Sequence, residues 1–195
     1  MTKGHGFKLV LASASPRRSE LLRNAGIPFT VQPAHVDESR RKRESPIKYA
    51  QRVARDKAQV VSQRNPNALA LGADTIVAVD GEILGKPRDR ADAARMLRRL
   101  AGRTHKVITA VALIGSNPTK FEDVKSESTQ VVFDRLSAAE IKDYIASGEP
   151  MDKAGAYGIQ GRASRWIPKI EGDYFNVVGL PVALVVKMLK KRGLM

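Results

Sequence analysis

The sequence predicts an α/β protein with a mixed, twisted sheet flanked by helices. Extended and helical patterns alternate along the whole chain, which is the order of elements typical of an α/β fold. An Asp-Gly turn signal and one strand of alternating polar and apolar residues add antiparallel pairs, so the sheet is mixed. With 195 residues, 43% of them hydrophobic, the chain can bury one substantial core, as one domain or as two lobes that share a cleft. We treat residues 1–195 as a single domain.

The first third of the chain contains two Ser-Pro helix signals. Residues 7–11 are apolar apart from Lys8 and predict a short buried strand. Ser15 and Pro16 supply the N-cap and the first residue of a helix over 15–24. Gly26 closes this helix before a second strand at 29–31. The other pair begins a longer helix over 45–63. Its inward-facing candidates are Tyr49, Val53 and Val60.

The remainder continues the alternation. Residues 68–79 predict an apolar strand interrupted by the polar segment 72–75, and the Asp-Gly pair at 80–81 predicts a hairpin turn into 82–84. A Ser-x-x-Glu capping box begins the helix at 137–148. The other expected elements are a helix at 89–100, strands at 106–114 and 124–133, short extended pieces at 157–160 and 166–170, and a basic helix from Pro181.

Charge and composition narrow the class of protein. The formal net charge is +14, and such an excess attracts nucleic acid, anionic lipid or small phosphorylated ligands. Part of the positive charge is clustered at 40–43 and 187–192. The simplest interpretation of the first cluster is a solvated loop, and of the second a solvated helix face. The lack of cysteine excludes disulfides, thiolate metal sites and a cysteine nucleophile. No apolar run approaches the roughly 20 residues of a membrane span and residues 1–10 lack a signal-peptide pattern, so we expect a soluble cytoplasmic protein.

Residues 9–18 pass from an apolar strand through small polar residues into a helix N-terminus. Free backbone N–H groups and the helix dipole form an anion site there, and small side chains such as Ser13 let a phosphate approach closely. Arg17 and Arg18 add positive charge, and an arginine can bind two phosphate oxygens at once. The segment predicts a phosphate site, although an ordinary strand–turn–helix with Ser15 as N-cap has the same pattern. Its spacing is not that of a P-loop.

Asp74 is a lone charge in an otherwise apolar strand. Burying a carboxylate is costly unless it is paired, hydrogen-bonded or bound to metal. Its Gly and Thr neighbours favour a functional, cleft-lining carboxylate over an Asp that holds a loop. Three further charges stand out: Lys86 in a stiff Gly-Lys-Pro turn, Lys57 on a helix, and Glu38, which with Asp37 could supply oxygens to a metal. Taken alone, the two lysines are better explained as surface lysines, and the two acids as solvated side chains.

The segment 155–161 is flanked by glycines and presents an amide side chain, Gln160. A tight turn with Tyr157 in the core explains the same pattern. The three histidines show no metal-ligand spacing, and no Ser–His–Asp set can be nominated, so we assign them no role.

Seven motifs, taken in order, resemble those of the Maf family of nucleotide pyrophosphatases. They cover essentially the whole chain, and their combined order is far more specific than any single motif. The motifs are SASPRRSELL at 13–22, VDES at 36–39, RDKA at 55–58, GADTIV at 72–77, GKP at 85–87, DKAGAYGIQG at 152–161 and VVGLP at 177–181.

The resemblance implies a fold of two lobes around a central cleft, often dimeric and related in architecture to inosine-triphosphate pyrophosphatases. It implies hydrolysis between the α- and β-phosphates of a nucleoside triphosphate, assisted by a divalent cation such as Mg²⁺ or Mn²⁺. It places the proton acceptor that activates water at Asp74. Positions associated with substrate choice fall on Arg17, Thr75 and Gln160. Further cleft positions fall on Ser13, Lys57, Lys86 and Glu38, the last a candidate metal ligand.

Gln160 also indicates a branch of the family. With the GADT motif it resembles the branch acting on dTTP and UTP, whereas the branch acting on 7-methyl-GTP carries a Glu at that position. The implied cellular role is cleansing of the nucleotide pool. The family name also refers to septum formation, which implies a link to cell-division arrest as a phenotype rather than a chemistry.

Two other functions stay open at this point. A non-catalytic nucleic-acid-binding regulator is supported by the +14 charge alone, without helix-turn-helix spacing or an RNP-type aromatic motif. A purine house-cleaning enzyme of the same architecture would prefer inosine triphosphate to UTP. We expect the nucleoside triphosphate as partner and a homodimer, with no specific nucleic acid and no membrane.

Overall fold

The computed structural model describes residues 8–117 and 120–195, and within them seven strands, six α-helices and three short 3₁₀ helices. The strands are β1 (Leu9–Leu11), β2 (Thr30–Val31), β3 (Leu69–Val79), β4 (Glu82–Leu84), β5 (Thr104–Gly115), β6 (Phe121–Val132) and β7 (Lys169–Glu171). The helices are α1 (Pro16–Asn24), α2 (Pro46–Arg64), α3 (Arg90–Leu100), α4 (Ala138–Ala146), α5 (Tyr174–Val178) and α6 (Val182–Lys191). Phe7, the start of the first predicted strand, lies outside the described residues. No described helix is long and apolar enough to span a membrane.

The strands form a mixed sheet in the order β2-β1-β3-β5-β6-β7, with β4 also paired to β3. β1 is parallel to both neighbours, so that Val10 lies opposite Thr30 and Ala70. β4 is antiparallel to β3, and β7 is antiparallel to β6. Asp80 and Gly81 adopt positive φ angles of 47° and 80°, as the predicted two-residue hairpin turn requires. The predicted mixed α/β class is therefore confirmed.

The chain divides into two compact units, in agreement with the two predicted lobes. The first contains the described residues among 1–74, 109–127 and 179–195, and the second contains 75–108 and 128–178. The unit boundary falls within β3, so Asp74 belongs to the first unit and Thr75 to the second. The assignment of 1–195 as a single domain stays a prediction.

In the first unit, helix α2 packs closely on β3 at Gly72. A Cβ atom at Gly72 would lie 2.1 Å from the carbonyl oxygen of Ala54, so only glycine fits there. This contact turns the alanine-rich face of α2 inward. The prediction of an inward side chain is confirmed for Val53, but Tyr49 and Val60 are only half-buried. The buried apolar residues of α2 are Ala50, Val53, Ala54, Ala58 and Val61.

Three local predictions differ from the structure. β3 runs without a break through 72–75, since Gly72 packs against α2 instead of forming a turn. Residues 159–161 form a turn, where an extended piece was predicted at 157–160, and a 3₁₀ helix continues to Trp166. Helix α5 was not predicted, because five residues are too few to show a helical period.

The core of the second unit is aromatic. Phe133, Tyr144, Tyr157 and Trp166 are buried, which confirms the core position proposed for Tyr157. The predicted capping box joins Ser137 and Glu140 at the start of α4, and Glu140 also accepts a hydrogen bond from the Trp166 indole at 3.0 Å. His105 lies in this core, with Nε2 at 2.7 Å from the hydroxyl of Tyr157.

His105 should make the stability of the protein depend on pH. Burial lowers its pKa from 6.5 to about 4. The unfolded chain therefore binds a proton that the folded protein does not, and the free energy of unfolding rises with pH between about 4 and 6.5, by up to about 3 kcal/mol. His105→Gln offers Tyr157 a polar partner that does not titrate, so its urea-unfolding free energy should rise less across this window. Equal slopes for the two proteins would contradict the assignment.

Candidate active site

Asp74 and Lys57 form a buried ion pair in the first unit. Asp74 lies on β3 and is 7% exposed, and the ammonium of Lys57 on α2 donates to its Oδ1 at 2.9 Å. Lys57 is itself only 9% exposed, so its interpretation as a surface lysine was wrong. The reason is the close approach of α2 to β3 at Gly72, which turns Lys57 toward the strand instead of solvent.

The surroundings of Asp74 act on its pKa in opposite directions. Burial raises the pKa of the Asp74 carboxyl, and the positive charges of Lys57 and Arg18 oppose that effect. Burial thus raises the affinity of the Asp74 carboxylate for a proton, while Lys57 favours its ionised form. A buried carboxylate in this state is suited to accept a proton from a neighbouring molecule.

Glu38 brings a second carboxylate to the same ammonium. Its Oε1 lies 2.8 Å from Lys57 Nζ, although Glu38 belongs to the loop before α2 and its side chain is 55% exposed. Mg²⁺ takes carboxylate oxygens and usually completes its shell with substrate phosphates and water, so Asp74 and Glu38 fit the divalent cation that the resemblance implies. Residues 8–117 and 120–195 contain no group of three or more His, Asp or Glu placed to hold a metal.

Ser13 lies between β1 and α1 and is 7% exposed. Its hydroxyl oxygen accepts from the N–H of Ser15 at 3.2 Å and from Arg18 Nη1 at 3.0 Å. A hydroxyl has two acceptor positions and one donor proton, so the proton of Ser13 is left as a donor suited to a phosphate oxygen.

Arg18 has a structural role that the sequence did not indicate. Besides Ser13, its guanidinium donates to the carbonyl oxygens of Ala73 at 3.0 Å and Gly179 at 2.9 Å. Burial lowers the pKa of Arg18, and the nearby charge of Asp74 opposes this shift. The side chain thus ties α1 to the backbone beside Asp74, whereas the sequence suggested a phosphate contact.

Two predicted substrate residues lie beside these groups along the chain. Arg17 is half-buried in the first turn of α1, where helix N–H groups favour an anion. Thr75 follows Asp74 directly on β3 and is also half-buried.

In the second unit, Lys86 and Gln160 are both exposed. The N–H of Gly155 donates to the carbonyl of Gly85 at 3.0 Å, so the segment that leads to Gln160 is joined to the turn that carries Lys86. Lys86 has the exposure expected of a surface lysine.

The turn around Gln160 is held by Glu149 and Tyr144. Glu149 accepts from the backbone N–H of Arg162 at 3.1 Å and from the Tyr144 hydroxyl at 2.9 Å. That hydroxyl in turn accepts from the N–H of Gly158 at 3.3 Å. A Cβ on Gly161 would lie 2.0 Å from Glu149 Oε1, so glycine is required for the carboxylate to reach the turn. Gln160 is therefore exposed on a fixed backbone.

Sequence reasoning missed the residues that hold the candidate residues of each unit in place. Arg52 and Tyr49 bind the loop that carries Glu38, and Glu149 binds the turn that carries Gln160. The sequence contained one sign of these contacts: Arg52 is a charged residue among the inward positions of an amphipathic helix.

Comparison with known proteins identifies the fold and then the family. The Ham1 protein of Staphylococcus aureus has a TM-score of 0.51 with this chain at 12% identity, covering 95% of this chain and 99% of the other, and this likeness concerns the fold alone. The Maf-like protein family matches residues 8–192, and the chain belongs to that family. A dTTP/UTP pyrophosphatase of Koribacter versatilis is 57% identical over 97% of each chain. Another, of Symbiobacterium thermophilum, is 55% identical over 95% of this chain and 94% of the relative.

Substitution of Arg18 should lower the stability of the protein. Arg18→Lys removes the guanidinium fork and leaves at least one carbonyl unpaired, so the free energy of unfolding should fall by about 2 kcal/mol. Arg23→Lys, on the exposed last turn of the same helix, should change it by less than about 0.5 kcal/mol. Urea unfolding at neutral pH measures both, and a similar small effect for the two variants would refute the structural role.

Proposed function

We propose that this chain hydrolyses dTTP and UTP to the monophosphates and pyrophosphate, as a house-cleaning enzyme of the nucleotide pool. The observation that carries the proposal is the buried Asp74–Lys57 pair, with Glu38 on the same ammonium. Relatives named dTTP/UTP pyrophosphatase, 46–57% identical over nearly the whole chain, support the substrate assignment. The proposal includes a cytoplasmic homodimer without a specific nucleic-acid partner.

The reaction is an in-line attack of water on the α-phosphorus. Asp74 accepts the proton that the water loses, so the attacking oxygen gains nucleophilic character as its bond to phosphorus forms. The bond from the α-phosphorus to the bridging oxygen breaks, and pyrophosphate leaves. No covalent enzyme intermediate is needed.

Positive charge and one hydroxyl stabilise the negative charge that grows on the triphosphate. Lys57, Arg17 and Lys86 neutralise it, and the Ser13 proton can donate to a phosphate oxygen. A divalent cation held by Asp74 and Glu38 would add positive charge at the phosphates when bound. Water is oriented by the carboxylate of Asp74, whose ionised form Lys57 favours.

A pyrophosphate-release assay over a panel of nucleotides, with Mg²⁺ or Mn²⁺, tests the proposal. Turnover of dTTP and UTP above the purine nucleotides is expected. Preference for inosine triphosphate would instead favour the purine house-cleaning enzyme. Absence of turnover together with steep, salt-dependent DNA affinity would favour the nucleic-acid-binding regulator.

Asp74→Asn should remove most of the turnover and leave the fold intact. An amide does not accept the proton of the attacking water, and loss of a general base typically lowers the rate by ~10²–10⁴-fold. The measurement is kcat for UTP at saturating substrate, with Asp134→Asn, an exposed carboxylate after β6, as the control. If Asp74→Asn kept nearly wild-type turnover, Asp74 would have a structural role and the mechanism would be wrong.

Gln160 is the residue proposed to select the base. Uracil and thymine present carbonyl oxygens on both sides of an N3–H, and a Gln amide offers both a donor and an acceptor to that edge. A carboxylate accepts only, so it would face a carbonyl oxygen with no proton to share, at a cost of about 1–3 kcal/mol. A guanine edge has two adjacent donors, which suit a carboxylate.

Gln160→Glu should therefore lower kcat/KM for dTTP and UTP by at least about tenfold, since ~1.4 kcal/mol corresponds to a factor of ten. The relative activity toward 7-methylguanine nucleotides should rise. Gln63→Glu, exposed on α2, adds the same charge elsewhere and serves as the control. A pyrimidine-to-purine ratio equal to that of the wild type would show that Gln160 does not contact the base.

A further inference from the structure

Helix α2 binds the backbone of the preceding loop on both sides of Glu38. The Tyr49 hydroxyl donates to the carbonyl oxygen of Glu38 at 2.7 Å. Arg52 Nη1 donates to the carbonyl of Asp37 at 3.3 Å, and Nη2 donates to that of Ser39 at 2.9 Å. Two side chains of one helix thus hold three consecutive carbonyl groups, with Glu38 in the middle.

The far end of the same loop is held by a buried ion pair. Arg52 Nε donates to Glu44 Oε1 at 2.7 Å and Nη2 to Oε2 at 3.0 Å, and the two side chains are 10% and 9% exposed. The Arg52 guanidinium lowers the pKa of Glu44 to about 2, so the pair is ionised at neutral pH. Such a bidentate fork has a fixed geometry that lysine does not reproduce.

Glu38 depends on this support because its own side chain is not packed. It is 55% exposed, and an exposed ion pair contributes little by itself to holding a loop in place. Its carboxylate reaches Lys57 because the backbone at Glu38 is fixed. Lys57 lies on the same helix as Tyr49 and Arg52, so α2 fixes both the ammonium and the loop that brings the second carboxylate.

We propose that Tyr49 and Arg52 are positioning residues that act through Glu38, holding its carboxylate at Lys57 and beside Asp74. The inference rests on the proposed function and adds two residues to the machinery of that reaction. A positioning role differs from a general folding role in one measurable respect. If Tyr49 and Arg52 act through Glu38, the effect of each side chain on turnover requires the Glu38 carboxylate.

A double-mutant cycle tests this dependence. Tyr49→Phe removes only the hydroxyl and should lower kcat/KM for UTP about fivefold, the size of effect expected for one hydrogen bond. Arg52→Lys keeps the charge without the fork and should lower it at least about tenfold. In a Glu38→Gln background each change should alter kcat/KM by less than about twofold, because the carboxylate that it positions is gone.

Arg55→Lys is the matched control. Arg55 lies on the same helix, partly exposed, with Glu122 as its partner, and its substitution should alter kcat/KM by less than about twofold in either background. Equal losses from Tyr49→Phe or Arg52→Lys with and without Glu38 would overturn the proposal, as would an unchanged kcat/KM for Tyr49→Phe when Glu38 is present.

Amide hydrogen exchange at 37–44 supplies a readout that needs no substrate. Exchange in this loop should be faster in Tyr49→Phe and Arg52→Lys than in the wild type and Arg55→Lys. If the wild type releases no pyrophosphate from UTP, the proposed function fails, while the exchange still reports whether these side chains fix the loop. Unchanged exchange in both variants would overturn the positioning role.

Discussion

A carboxylate buried in the middle of a strand needs a partner that offsets its lost hydration, and the charge cluster of the first unit depends on this need at Asp74. Lys57 meets it from α2, and α2 comes close enough because Gly72 has no side chain. The same approach buries the lysine, which then attracts the exposed carboxylate of Glu38. One glycine contact thus allows a three-residue charge cluster to form.

Helix α2 serves as the scaffold of that cluster. One of its faces carries the small residues that pack on β3, while Tyr49, Arg52 and Lys57 bind the loop and the carboxylates. Buried ion pairs such as Arg52–Glu44 contribute little net stability compared with apolar packing, because both charges lose water. Their clear consequence here is geometric, since they set the position of a loop that lacks regular structure.

The second unit holds the backbone at Gln160 with hydrogen bonds of the opposite direction to those at Glu38. In the first unit, side-chain donors bind backbone carbonyl groups around Glu38. In the second, the acceptors Glu149 and the Tyr144 hydroxyl bind backbone N–H groups on both sides of Gln160. Both devices hold the backbone and leave the side chain itself exposed, which suits residues that are proposed to meet a ligand.

The amino-acid sequence alone was sufficient for most elements, for the mixed α/β class and for the family, because caps, turns and periodicity are local and the motifs are ordered along the chain. It also singled out Asp74, since a charge in an apolar strand is visible without a structure. The burial of Lys57, by contrast, depends on the packing of α2 against Gly72, which lies on another element of the chain. Arg18 and Arg52 also donate to backbone carbonyl groups, which every residue possesses and no sequence pattern marks, so only the tertiary structure decided those roles.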